Sequence, residues 1–208
     1  MENQLLKMSK HQKHTNLEKR NNDNFAPNEI SFLGTNCGTI SELVSKISQR
    51  LTGYKLAYFD ASHSVEIKKS NLSQFVFHAQ GNLQIETTGK INKFQQRLDF
   101  AQFDSVFING NHYEGIKQIL ILDIEKEASV LKRLEQLDCI QFVIKLTKDT
   151  PYFSFLEEKY PNIKHLKCYT IDQVDQIANH IGNLLQKKTP PVKGLVLVGG
   201  KSRRMGQD

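Results

Sequence analysis

The sequence predicts a three-layer α/β domain on a mostly parallel sheet. Short apolar runs of strand length alternate with longer segments whose apolar residues recur at helical spacing. The runs are bounded by glycine, asparagine and proline, as turns require. A charged, proline-stiffened stretch, "KKTPPVKG", follows the last helix and reads as a linker.

The elements follow in order. "NEISFLG" (28–34) is an apolar strand closed by glycine. "TISELVSKISQRL" (39–51) places Ile40, Leu43, Val44, Ile47 and Leu51 on one helical face, with Gly53 beyond its end. "YKLAYFDAS" reads as a strand. "QFVFHAQGNLQIET" reads as two strands joined at Gln80, Gly81 and Asn82, an antiparallel hairpin expected to interrupt the parallel sheet. Residues 91–103 read as a helix, 104–110 as a buried strand and 118–125 as another. "EASVLKRLEQL" is a helix, "IQFVIKLT" a strand, "YFSFLEEKY" a short helix and "IKHLKCYT" a weaker strand. "IDQVDQIANHIGNLLQKK" closes the domain as a helix, with Val174, Ile177, Ile181, Leu184 and Leu185 on one face.

Three segments result: a basic tail (1–27), the α/β domain (28–188), and a linker with the start of a second domain (189–208). The net charge is +6, and the tail "LLKMSKHQKHTNLEKRNN" supplies much of the excess without an apolar stripe. It reads as a solvated arm, His11 and His14 included. No aromatic-rich RNA-binding strand or zinc-finger spacing accompanies it, so no nucleic-acid partner is expected. Nor does any apolar run reach membrane-spanning length or resemble a secretory signal. The three cysteines, Cys37, Cys139 and Cys168, are scattered without CxxC spacing. They read as reduced thiols of a cytoplasmic protein, with no metal site implied.

Two segments could carry chemistry. In "GLVLVGGKSRRMGQD" (194–208) an apolar strand runs into paired glycines and then arginines. Glycines let the backbone approach phosphates, and Arg203 and Arg204 supply forked donors for phosphate oxygens. The string resembles the N-terminal signature L-A-G-G-x-S-x-R-M-G-x-D-K of the MobA-like nucleotidyltransferases, most of all the molybdenum cofactor guanylyltransferases. The resemblance implies that Leu197, Val198 and Gly199 line the guanine and ribose of GTP, and that Gly200 and Arg204 face its phosphates. Val198 replaces the usual alanine. The lysine expected after Asp208, and the downstream aspartates that hold Mg²⁺ in that family, are not in this sequence. The chain therefore reads as the front part of a longer guanylyltransferase and is not expected to transfer a nucleotide by itself.

The second segment, "FLGTNCGTISEL", lies between the first strand and the first helix, where P-loop proteins place their phosphate loop. It resembles the loop G-x-x-G-x-G-K-T-T-L of the molybdopterin-guanine dinucleotide biosynthesis protein B (MobB) family. Aligned without a gap, Gly34 matches the first glycine, Cys37 and Thr39 fall on later glycines, Ile40 on the lysine, Ser41 on the Mg²⁺-binding threonine and Leu43 on the final leucine. "DSVFINGNHYEGIKQILIL" is similar to the family's D-L-V-L-V-E-G-F-K, with Asn109 in place of the acid. Without the lysine the outer phosphates lose their cation. Gly34, Gly38 and Ser41 remain as a degenerate phosphate loop, in which Ser41 either caps the helix or helps its N-terminus hold an anion.

Other candidates stand apart from both motifs. His63, His78 and His112 follow strand ends and either converge at one sheet edge or sit separately as ordinary loop histidines. Cys37 lies near a helix N-terminus but has no Cys–His–acid spacing. Asp60 and Asp104 read as structural caps.

The resemblances imply a protein of molybdenum cofactor biosynthesis that joins GMP from GTP to molybdopterin, with GTP and Mg²⁺ as cofactors. The leading domain is then a pseudo-NTPase adaptor whose partners are other molybdenum-cofactor proteins. Two alternatives remain: a non-enzymatic partner-binding module, and transfer of another nucleotide (cytidylyl or sugar-phosphate). The oligomeric state is left open.

Overall fold

The computed structural model describes residues 28–61, 74–77, 83–86 and 92–186. The tail, His63, His78, the linker and the terminal glycine–arginine motif lie outside these residues.

Six parallel strands form the main sheet: β1 (Glu29–Leu33), β2 (Leu56–Phe59), β5 (Ser105–Asn109), β6 (Lys117–Leu122), β7 (Ile140–Lys145) and β8 (Cys168–Thr170), in the order β2-β5-β1-β6-β7-β8. Every residue of β1, β5 and β6 is buried, as expected of central parallel strands covered on both faces. The edge strands β2 and β8 are only half-buried. Strands β3 (Gln74–Phe77) and β4 (Leu83–Glu86) pair antiparallel, but in a separate two-stranded sheet. The expected interruption of the main sheet by an antiparallel hairpin is thus corrected. Period-2 apolarity marks strands but does not say which sheet they join.

Helices cover both faces. On one, α1 (Cys37–Ser48) and α5 (Val174–Gln186) bury Ile40, Leu43, Ile47, Ile177 and Ile181 against Ile30, Phe32, Ile119, Ile121 and Phe142. On the other, α3 (Glu127–Lys132) and α4 (Ser154–Lys159) pack Val130 and Leu156 over Leu33, Leu120, Leu122 and Val143. Helix α2 (Lys93–Ala101) sets Phe100 over Val106 and Ile108 near the β2 edge. These are the three expected layers.

Two boundaries differ from the expectation. Helix α1 begins two residues earlier than its apolar stripe suggests, because the Asn36 side chain accepts the Thr39 amide at 2.9 Å and caps it. The sixth strand stops at Leu122 because Asp123 accepts the Glu125 amide and turns the chain into a 3₁₀ turn.

The link from β5 to β6 positions the site. Both strands are parallel and flank β1, so residues 110–116 must cross β1 from one end to the other. Such crossovers usually need about a dozen residues and a helix. Here the chain passes straight over Ser31, and a Cβ on Gly115 would lie 2.4 Å from the Ser31 Cβ. The Ile116 amide donates to Glu29 Oε1 at 3.0 Å, fixing the far end of the crossing. We expect Gly115→Ala to cost about 1–3 kcal/mol by overpacking. Adding Ser31→Gly should recover part of that loss in denaturant unfolding. Equal stability of Gly115→Ala and the parent would show that the crossover does not press on β1.

Candidate functional site

Ligands of open α/β sheets bind beyond the carboxyl ends of the strands, where successive connections leave in opposite directions. The connection from β1 leads toward the β2 edge, and the one from β6 toward β8. The switch point therefore lies between the ends of β1 and β6, at Gly34 and Asp123.

Gly34 has φ +107°, and a Cβ there would sit 2.2 Å from the Ile121 carbonyl oxygen. Only glycine combines that backbone with that approach. Thr35 follows, fully buried, and its hydroxyl donates to Asp123 Oδ2 at 2.6 Å. This bond ties the two strand ends together across the switch point. Removing the hydroxyl leaves a buried carboxylate oxygen short of a donor. Thr35→Val should accordingly cost about 1–3 kcal/mol, and Thr35→Ser close to nothing. Coincident unfolding curves for Thr35→Val and the parent would contradict this.

The candidate phosphate loop is short. After Gly34 only Thr35 and Asn36 precede α1, so Gly38 and Ser41 lie in the first turns of the helix. Asn36, not Ser41, is the N-cap, and Ser41 is exposed. Ile40, at the lysine position, has 0 % exposure and packs into the core. A loop that wraps phosphates needs several successive free amides and a cation. In this segment Asn36 already holds the Thr39 and Ile40 amides and the cation's position is a core isoleucine, so it does not fit a magnesium–nucleotide in the manner of a P-loop.

Beside the helix start, five elements bring polar side chains together. Cys37 Sγ lies 3.2 Å from His112 Nε2, and Asp60 Oδ1 lies 3.7 Å from the same nitrogen. The Tyr58 hydroxyl donates to Asp60 Oδ2 at 2.9 Å. The Asn111 amide nitrogen donates to the Thr35 carbonyl at 2.7 Å, and its oxygen accepts from Arg133 Nη1 at 3.1 Å. Burial pushes the Tyr58 phenol well above its usual range, and its bond to Asp60 and that carboxylate's charge add to the shift. Tyr113 moves the same way, through burial and then Asp60. Burial lowers the half-buried Arg133, while its nearness to Cys37 acts in the opposite direction.

Asn109, at the position of the family's acid, is fully buried at the end of β5. Its Oδ1 accepts the Asn111 amide at 3.1 Å. Its Nδ2 turns toward Tyr58 but makes no hydrogen bond, the one such buried side-chain atom among the described residues.

Of the candidates named from sequence, Cys37, Asp60 and His112 meet here. Asp104 does not: it clamps the opposite ends of β2 and β5, accepting the Lys55 amide at 2.6 Å and donating its own to the Lys55 carbonyl. Thr35, Tyr58, Asn111, Asp123 and Arg133 were not singled out. Asp123 directly follows β6 and Thr35 lies one residue beyond the end of β1, the one signal that marks them. Among the described residues no group of three or more His, Cys, Asp and Glu could hold a metal ion. None of their helices is long and apolar enough to cross a membrane.

Fold and site together define a P-loop-like α/β domain without a phosphate cradle. Among solved structures, the chain is similar to molybdopterin-guanine biosynthesis protein B (mobB), with TM-score 0.50 and 18% identity over 76% of this chain and 99% of that one. It is likewise similar to the MobB protein homolog from Bacillus stearothermophilus, with TM-score 0.51 and 14% identity over 77% and 99%. At such identities the likeness is one of fold. No family model and no curated protein matches the chain.

Proposed function

We propose that residues 28–186 form a non-hydrolysing, MobB-like adaptor module of molybdenum cofactor biosynthesis. Residues 194–208 open a guanylyltransferase that joins GMP from GTP to molybdopterin. The observation that carries the first half is Ile40: at the position of the phosphate lysine stands a fully buried core residue, on a helix that begins before the cradle can form. The MobB-like fold supports the pathway, and the glycine–arginine signature supports the reaction. Leu197, Val198, Gly199, Gly200 and Arg204 bind GTP in this reading, and Mg²⁺ and molybdopterin join them there.

Guanylyl transfer from GTP to molybdopterin, measured on the protein as it occurs in its cell, tests both halves. Gly200→Val and Arg204→Ala should each abolish transfer, by removing backbone approach and a charge-assisted contact to the phosphates. Ser41→Ala should leave it intact. No transfer by the parent protein, or its loss in Ser41→Ala, would refute the assignment.

A further inference from the structure

We propose that Cys37 is a nucleophilic thiol, activated by His112 as general base, that undergoes thiol–disulfide exchange with small disulfides. Two observations carry it. One is the contact of Cys37 Sγ and His112 Nε2 at 3.2 Å, with Cys37 half-exposed at the first position of α1. The other is Asp60, whose Oδ1 lies 3.7 Å from the same nitrogen, so that a carboxylate stands beside the ring that takes the thiol proton.

The groups facing the sulfur are mostly donors or cations. His112 comes from the β5–β6 crossover, Arg133 from the end of α3, and Asn111 Nδ2 approaches to 3.8 Å. Tyr58 approaches from β2. The α1 N-terminus adds its positive dipole end. Asp60 is the exception, and it faces His112 Nε2 at 3.7 Å. That placement favours proton transfer: when Nε2 takes the thiol proton, the new imidazolium meets the Asp60 carboxylate. In this tautomer Nδ1 carries the resting proton.

The step balances without a further reactant. As His112 takes the proton, the Cys37 sulfur attacks one sulfur of the disulfide. A new S–S bond forms, the old one breaks, and the other half departs as a thiolate, which His112 reprotonates. Cys37 is oxidised to the mixed disulfide, and the departing half is reduced. The donors around the sulfur suit a disulfide bearing carboxylates. This inference is independent of the nucleotide chemistry assigned to residues 194–208.

Cys139 and Cys168 are internal controls. Cys168 is exposed beside the Tyr152 side chain and the Tyr169 carbonyl, and Cys139 is half-buried with the Gln141 side-chain nitrogen 3.1 Å from its sulfur. The 208-residue protein is treated at pH 7 with an anionic aromatic disulfide, 5,5′-dithiobis(2-nitrobenzoate). Single-cysteine versions give each thiol its own rate. We expect Cys37 to react at least tenfold faster than Cys168, despite its lower exposure. His112→Gln should cut the Cys37 rate about tenfold and leave the other two unchanged. Asp60→Asn, which keeps a partner for Tyr58, should slow Cys37 by a smaller factor and serves if His112→Gln does not fold. A Cys37 rate equal to or below that of Cys168, or a rate unaltered in both variants, would overturn the proposal.

Discussion

Gly34→Ala should destabilise the protein by at least about 3 kcal/mol, among the largest effects available to a single methyl group here. Two costs combine. At φ +107° any side chain is strained, by about 1–3 kcal/mol. The new Cβ would also sit 2.2 Å from the Ile121 carbonyl oxygen, a backbone atom held in the β6–β7 ladder with little room to yield. Relief would require β1 and β6 to part at the switch point, breaking the Thr35–Asp123 bond. Gly38→Ala is the control. Its Cβ would meet only the Asn36 Oδ1, at 3.4 Å, and the helical setting favours alanine over glycine. Denaturant midpoints should fall sharply for Gly34→Ala and hold or rise for Gly38→Ala. Equal losses would show that both glycines serve one strained loop.

Ile40→Lys, which restores the residue a phosphate loop requires, should damage the protein without giving it an activity. Position 40 is fully buried between α1 and the sheet, beside Ile30 and Phe32 in the larger core cluster. The ammonium would replace apolar packing and have no described carboxylate in that cluster to pair with. We expect a loss of about 3–5 kcal/mol, or a neutral lysine that still leaves a packing defect. Ser41→Lys, one position on and exposed, should leave the melting temperature nearly unchanged. A stable Ile40→Lys protein that binds triphosphate would mean the helix start unwinds into a cradle.

The strands were legible in the sequence because β1, β5 and β6 are buried along their whole length and carry short apolar runs, such as 106–108 in β5 and 119–122 in β6, between their polar residues. Helix α1 was legible through its stripe, but its start was not. The Asn36 cap competes with the glycine pattern that suggested a longer loop, and the cap prevails by satisfying the Thr39 amide. The separate β3–β4 sheet escaped because alternation carries no information about which neighbour a strand selects. In the site, Cys37, Asp60 and His112 were visible as isolated residues. Their meeting was not, since Cys37 and His112 are 75 residues apart and are joined only by the short crossover that brings residues 110–116 over β1. Asn111 and Arg133 gave no signal, because each works through a backbone carbonyl or an amide whose position the fold alone determines.

The central claim is that this P-loop-like domain has exchanged its phosphate cradle for a capped helix and a packed core residue. GTP hydrolysis by the 208-residue protein with Mg²⁺, under single-turnover conditions and beside a Ser41→Ala variant, tests it most directly. The account predicts no turnover above the uncatalysed rate in either protein. Turnover in the parent that disappears in Ser41→Ala would contradict it, because Ser41 would then be holding the metal that an intact phosphate loop requires.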